Sequence, residues 1–195
     1  MKTMMKLMMF AALVFVCSSF TEQGRWIIDP QSRLSIHGST NVNQFQCNLR
    51  QYHNNDTLEF IRQSETIEVK FTHNRMRVPV KGFSCGNNQI TKDFLATLKS
   101  DAYPHLEIFF RSFKQNAIKD KSFIDGVVDI TLAGATKRYT VRYYAQKPSE
   151  DVIHLTGVQA VNFGDFKLQP PQKMMGLIQV QECLEVEFDL TLKII

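Results

Sequence analysis

The sequence predicts a mainly β, antiparallel fold with one short helix, and three observations carry that expectation. Leu184, Val186, Phe188, Leu190 and Leu192 alternate with Glu185, Glu187, Asp189, Thr191 and Lys193, which makes a strand with one dry and one wet face, as in antiparallel sheets and small barrels. Turn-forming residues recur at short intervals, at Asp29-Pro30, 54–56, 86–88, 119–121, Gly134, Pro148-Ser149, Gly164-Asp165 and Pro170-Pro171, with strand-like runs between them. Residues 126–144 read as a strand pair. Val128, Ile130 and Leu132 share a face, Gly134 supplies the turn, and Tyr139, Val141 and Tyr143 return along the same apolar side.

The remaining elements follow in chain order. Leu34 and Ile36, then Phe45, Cys47 and Leu49, repeat the alternating pattern near the start. Pro79 sits between Val78 and Val80 and confines that strand to an edge or a bulge, because proline brings no ladder donor. A helix is expected over 91–99. Thr91 can cap it, Asp93 lies in its first turn, Phe94, Leu95 and Leu98 share a face, and Lys99 suits the negative end of the dipole. Pro104 ends the helical pattern and biases Tyr103 toward extended backbone. Leu106, Ile108 and Phe110 then point one way, with Glu107 and Arg111 the other. Residues 162–176, with Phe163, Phe166 and the double proline, read as an ordered loop packed on the sheet.

Residues 1–19 carry Lys2 and Lys6, an apolar run over 7–16, and the small residues Cys17, Ser18 and Ser19. This is the pattern of a cleaved signal peptide, with an apolar run too short to span a bilayer. Cys17 invites a lipoprotein reading, against which stand the bulky Phe15 and Val16. No later run of apolar residues is long enough to cross a membrane, so no transmembrane span is expected after cleavage. The processed chain would hold 21 basic against 19 acidic side chains. That near balance, without a basic stripe, argues against nucleic acid as a partner. Export implies an oxidising compartment, periplasmic or secreted.

Catalytic constellations are absent from the pattern. His37, His53, His73, His105 and His154 have no metal-ligand spacing, and neither a nucleophile elbow nor a glycine-rich phosphate loop occurs. No metal, no cofactor and no enzyme activity are expected. What remains is apolar surface on strands. Ile108, Phe110, Val128, Ile130, Tyr139, Val141, Tyr143, Phe188 and Leu190 are expected to face inward, either as a packed core or around a ligand.

The order of motifs resembles the YceI-like family of lipid-binding proteins. It rests on the Leu98-Lys99-Ser100 triplet, on Tyr103-Pro104 leading into the strand, on the turn Gly134-Ala135-Thr136-Lys137, and on the opening Trp26-Ile27-Ile28-Asp29-Pro30. It spans 25–193, with Ala133 standing where many members carry histidine. The resemblance implies an extended lipocalin-like antiparallel β-barrel that encloses a long amphiphile, a polyisoprenoid or acyl lipid, without catalysis. The nine inward residues would then be ligand-binding, and an elongated tunnel should run through the interior. A head group would need donors at the mouth, for which Lys137 with Arg138, or Lys81, are candidates. Related sequences often carry cysteine at the positions of Cys47 and Cys85, which makes these two the implied disulfide. Three free thiols are the alternative. Closing a loop of about 38 residues stabilises by roughly 3–4 kcal/mol on the chain-entropy model. Cys183 is expected to be a small buried apolar residue. A homodimer is an assembly this reading leaves open. The competing function is that of a filled β-barrel or sandwich acting through its surface on another envelope protein.

Overall fold

In chain order the strands are β1 (Thr21–Ile28), β2 (Arg33–Ser39), β3 (Gln44–Leu49), β4 (Thr57–Gln63), β5 (Glu68–His73), β6 (Arg75–Pro79) and β7 (Phe83–Ser84), followed by helix α1 (Asn88–Thr97). Then come the long strands β8 (His105–Ile118), β9 (Lys121–Leu132), β10 (Ala135–Ser149) and β11 (Val152–Asn162). A small hairpin, β12 (Gln172–Lys173) and β13 (Ile178–Gln179), precedes the last long strand, β14 (Cys183–Ile194). The structure, a computed structural model, describes residues 21–63, 67–118 and 121–195. The signal segment and Cys17 lie outside the described residues.

Strands β8, β9, β10, β11 and β14 run side by side as antiparallel neighbours and form one continuous wall. At about 3.3 Å per residue the longest of them extends roughly 50 Å. The shorter strands cannot face that length singly, so the opposite wall is built in two tiers. β14 pairs with β1 through Leu192 to Ile194, and with β2 through Glu185 to Asp189. β8 likewise pairs with β5 through Ser112 to Lys114, and with β6 through His105 to Phe109. In the lower tier β1, β4 and β5 close the ring; in the upper tier β2, β3 and β7 lead through the short helical turn Val80–Gly82 to β6. This is the extended, barrel-like antiparallel fold that the sequence predicts. Pro79 lies on β6, whose ladder is with β8 alone.

The step from one tier to the next is held by side chains on the shared strands. Between β1 and β2 the buried carboxylate of Asp29 accepts from the Gln31 amide at 2.8 Å and from Lys193 Nζ at 2.6 Å. The Asp29 amide donates to the Thr191 carbonyl at 2.8 Å. The Lys193 bond, more than any other contact, holds the Asp29 carboxyl below its usual range. On β8 the ladder to β9 shifts between Phe110 and Ser112, so Arg111 is an extra residue and Phe113 joins Ile108 and Phe110 on the inner side.

The helix starts earlier than its sequence pattern suggests. Asn87 is the cap, its side chain accepting from the Gln89 and Ile90 amides, and α1 ends at Thr97. Thr91 lies inside the helix, where its hydroxyl donates to the Asn87 carbonyl at 2.8 Å and accepts from the Cys85 amide at 3.0 Å. Lys99 falls past the helix end with a left-handed φ of 52°. The β9–β10 hairpin turns through Ala133 and Gly134, both at positive φ. The Tyr103 ring occupies the place of a side chain at Gly134, 2.8 Å from where a Cβ would stand.

On the outer face of the long wall, Asp129 of β9 draws two arginines over itself. Arg138 Nε donates to it at 2.6 Å from β10, and Arg111 Nε at 2.8 Å from the bulge of β8. The Arg138 bond, opposed by burial and reinforced by Arg111, lowers the Asp129 pKa to about 2. A carboxylate whose folded pKa lies below 3.8 contributes stability that is complete above that value and lost as pH falls through 2. Both arginines are half exposed, so screening reduces the contribution. Asp129→Asn should therefore cost about 1–2 kcal/mol in denaturant unfolding at neutral pH. The gap to the parent should close as the pH is lowered from 4 toward 2.

Candidate functional site

The two tiers are filled differently. In the lower tier Trp26, Phe60, Phe71, Phe110, Phe113 and Tyr143 form a continuous aromatic plug, with ring centroids 4.6 Å apart for Trp26 and Phe60 and 4.9 Å for Phe71 and Phe113. Each such pair contributes about 0.5–1.5 kcal/mol beyond the area it buries. Gly126 makes room for the plug, since a Cβ there would stand 2.7 Å from Tyr143 and 2.8 Å from Phe113. Burial alone pushes the Tyr143 phenol well above its ordinary pKa.

The upper tier is packed less completely. Its interior keeps a narrow slot of about 60 Å³ with a wholly apolar lining that includes Leu34, Val80, Phe83, Leu106, Ile108, Ile130 and Phe166. Phe188 lies at its lower limit, 6.2 Å from the plug residue Tyr143. At the other end, Phe94, Leu98 and Leu184 line both the slot and a larger cleft of about 530 Å³. The cleft opens between one side of α1, the 40–43 turn with the start of β3, and the β12–β13 hairpin. Its polar groups, Thr40, Asn43, Gln89, Asp93, Thr97 and Lys173 among them, stand beside Val42, Phe45, Ile90, Phe163 and Val180.

Local sequence explains how these walls are held. Asn41 ties the 40–43 turn to the hairpin, donating through Nδ2 to the Leu177 carbonyl at 2.8 Å and accepting from the Gln179 amide at 3.0 Å. Lys173 Nζ reaches Asp93 at 2.8 Å across the cleft. Cys47 of β3 and Cys85, just ahead of α1, form a disulfide and so fasten the helix to the opposite wall. Below the helix, Phe163 and Phe166 are buried in a short helical turn, Phe163–Phe166. Tyr139 Oη donates to Asp165 at 2.8 Å, and Lys137 Nζ lies 2.9 Å from the other carboxylate oxygen. Burial raises the Tyr139 pKa and Asp165 adds to the effect, while the Lys137 bond lowers that of Asp165.

Of the nine inward residues expected around a ligand, Ile108, Ile130 and Phe188 line the slot. Phe110 and Tyr143 belong to the plug. Val128, Val141 and Leu190 are buried but line neither space, and Tyr139 is half-buried against Phe166. The interior thus holds a slot beside a cleft, with three apolar residues in the wall they share, rather than an elongated tunnel through the whole barrel. The head-group candidates stand outside the cleft lining with carboxylate partners of their own: Lys137 on Asp165, Arg138 on Asp129 and Lys81 on Asp101. Cys183 is exposed, contrary to expectation, because it falls on the wet side of β14 with Glu185 and Glu187. The cleft residues of 40–43 and 171–180 lie outside the long alternating strands, and at the start of β3 only Phe45 is part of such a pattern. The nearest clue to them is the apolar Met174, Met175 and Leu177 inside a turn-rich segment.

Among the described residues no group of three or more His, Cys, Asp or Glu is placed to hold a metal ion, and no helix is long and apolar enough to cross a membrane. No protein-family model and no curated protein matches the chain. Solved structures share its fold. A polyisoprenoid-binding domain from Saccharophagus degradans, implicated in plant cell wall breakdown, aligns with a TM-score of 0.60 at 13% identity over 86% of this chain and 97% of that one. BcnA from Burkholderia cenocepacia aligns at 0.56 and 12% identity, over 84% and 99%. A mutant of the Campylobacter jejuni YCEI protein aligns at 0.51 and 12% identity, over 70% and 79%. The chain therefore has the YceI-like fold, and the likeness is one of fold.

Replacing both Cys47 and Cys85 by serine frees the 38-residue loop between them. Denaturant unfolding should show a loss of about 3–4 kcal/mol. Amide exchange should rise first in α1, which the bridge holds over the cleft.

Proposed function

We propose that this protein is a non-catalytic carrier of a long apolar chain of the isoprenoid or acyl type. The chain enters at the cleft beside α1 and runs down into the upper-tier slot. The single observation that carries the reading is that the cleft and the wholly apolar slot share Phe94, Leu98 and Leu184 as a common apolar boundary, which the cargo parts on entry. Each methylene taken out of water there contributes about 0.8 kcal/mol, so a chain is retained without any reactive group. The slot is narrow, and a longer chain is accommodated as the rings of Phe83, Phe94 and Phe166 turn aside. Ile108, Ile130 and Phe188 touch the end of the cargo in this reading, while Phe110, Val128, Tyr139, Val141, Tyr143 and Leu190 support the wall behind it. The head group stays at the mouth, among Gln89, Thr97 and the Lys173–Asp93 pair. The polyisoprenoid-binding domain of the same fold supports the isoprenoid class. The disulfide supports an oxidising compartment, periplasmic or extracellular.

A second reading, a filled barrel acting through its surface, draws on the aromatic plug. It leaves the apolar slot and the cleft beside it without a use.

Native mass spectrometry of freshly purified protein, followed by solvent extraction, tests the carrier. A fraction of the protein should carry a long-chain lipid. Leu184→Trp fills the junction of cleft and slot, at a folding cost of about 1–3 kcal/mol. It should lower loading at least tenfold. Protein that emerges free of lipid, and does not take up an added isoprenoid alcohol, would favour the filled barrel instead.

A further inference from the structure

The β12–β13 hairpin ends in a tip that does nothing for the barrel. Met174, Met175 and Leu177 are 69%, 106% and 74% exposed. Met174, Met175 and Gly176 follow one another in left-handed backbone, at φ 52°, 54° and 89°. Such backbone is unfavourable for residues with side chains. Here it turns two methionines outward in a loop whose base is tied down by Asn41 and by Lys173. Val42, itself 59% exposed, lies on the cleft rim in the turn to which that hairpin is bonded. An apolar group thus surrounds the one side of the cleft opposite α1.

The segment around the helix supplies the charge. One side of α1 walls the cleft, while Lys92 on its other side and Lys99 just past its end border a shallow groove that Lys81 and Asp101 complete. Lys81, Lys92, Lys99 and Lys173 face Asp93 and Asp101, and both carboxylates are already taken, by Lys173 and Lys81. Projecting apolar side chains therefore stand on one side of the cleft, and an excess of ammonium groups lies beyond α1 on the other. That pairing is the chemistry of an anionic bilayer surface, where apolar side chains enter the interface and lysines meet the head groups.

We propose that the protein docks on anionic lipid bilayers by this end, with Met174, Met175 and Leu177 inserted in the interface and Lys92 and Lys99 on the head groups. The proposal does not require the cavity to hold a lipid. A bilayer, rather than a second copy of the chain, is the occupant that uses both halves of the surface, since the same face of a second copy offers as carboxylates only Asp93 and Asp101, which are already paired.

Vesicle sedimentation of the full chain tests it. Binding to phosphatidylglycerol vesicles should exceed binding to phosphatidylcholine vesicles. Met174→Asp with Met175→Asp should weaken binding to both by at least about tenfold while thermal unfolding stays unchanged. Lys92→Glu with Lys99→Glu should weaken only the phosphatidylglycerol arm, by roughly fivefold or more for each lysine. Wild-type protein that fails to sediment with either vesicle, or a tip variant that binds as its parent does, would overturn the proposal. So would self-association by light scattering that the tip variant abolishes without any vesicle binding, since the tip would then belong to a second copy. Vesicle binding by a protein that takes up no isoprenoid alcohol would reject the carrier reading and leave the docking surface standing.

Discussion

Five long strands need something to face, and that requirement shapes the molecule. A wall roughly 50 Å long would expose its dry side over half its length if a single set of short strands opposed it. The chain meets the need by using the edges of β8 and β14 twice, each pairing with one strand in the lower tier and another in the upper. Where the edge of β14 changes partner, polar groups are buried and bonded, at Asp29, Ser32 and Thr191. The ladder closes on itself in the lower tier, where β1 pairs with both β4 and β14, while in the upper tier β6 keeps an edge outside it.

From the two tiers follows a division of labour inside. The lower tier packs aromatic ring against aromatic ring around Trp26 and Phe71, and so supplies a solid footing. The upper tier gives up that packing and keeps a slot whose lining has no polar surface. A barrel hollow over its full length would forfeit the dispersion contacts of the plug. One solid throughout would have nowhere to put cargo. The disulfide belongs to the same division, because it braces the half that keeps the slot.

Much of this was legible in the residues. The alternation in β14, the turn at Gly134 and the inward faces of β8, β9 and β10 are local patterns, and periodicity reads local patterns well. The Cys47–Cys85 bridge came from likeness of motif, and the structure contains it. Periodicity could not assign the nine inward residues to plug or slot. That depends on which tier stands opposite, and residues such as Trp26 and Phe71 come from strands distant in sequence. The bulge at Arg111, which brings Phe113 inward, is invisible to a strict count of two. The helix start moved because Asn87 offers a better cap than Thr91, and Cys183 went to the surface because parity outweighs its apolar character. The cleft itself draws on a turn, one side of a helix and a hairpin, three segments that share no period.

Cargo confined to the upper tier is the central claim, and a methyl-resolved NMR titration with a long isoprenoid alcohol tests it most directly. Resonances of Leu98, Val180, Leu184 and Ile130 should shift in proportion to the ligand added, while the Trp26 indole in the plug keeps its position. A titration that leaves the four methyl-bearing residues unmoved, or that moves Trp26 together with them, would contradict an upper half that opens to cargo above a solid lower one.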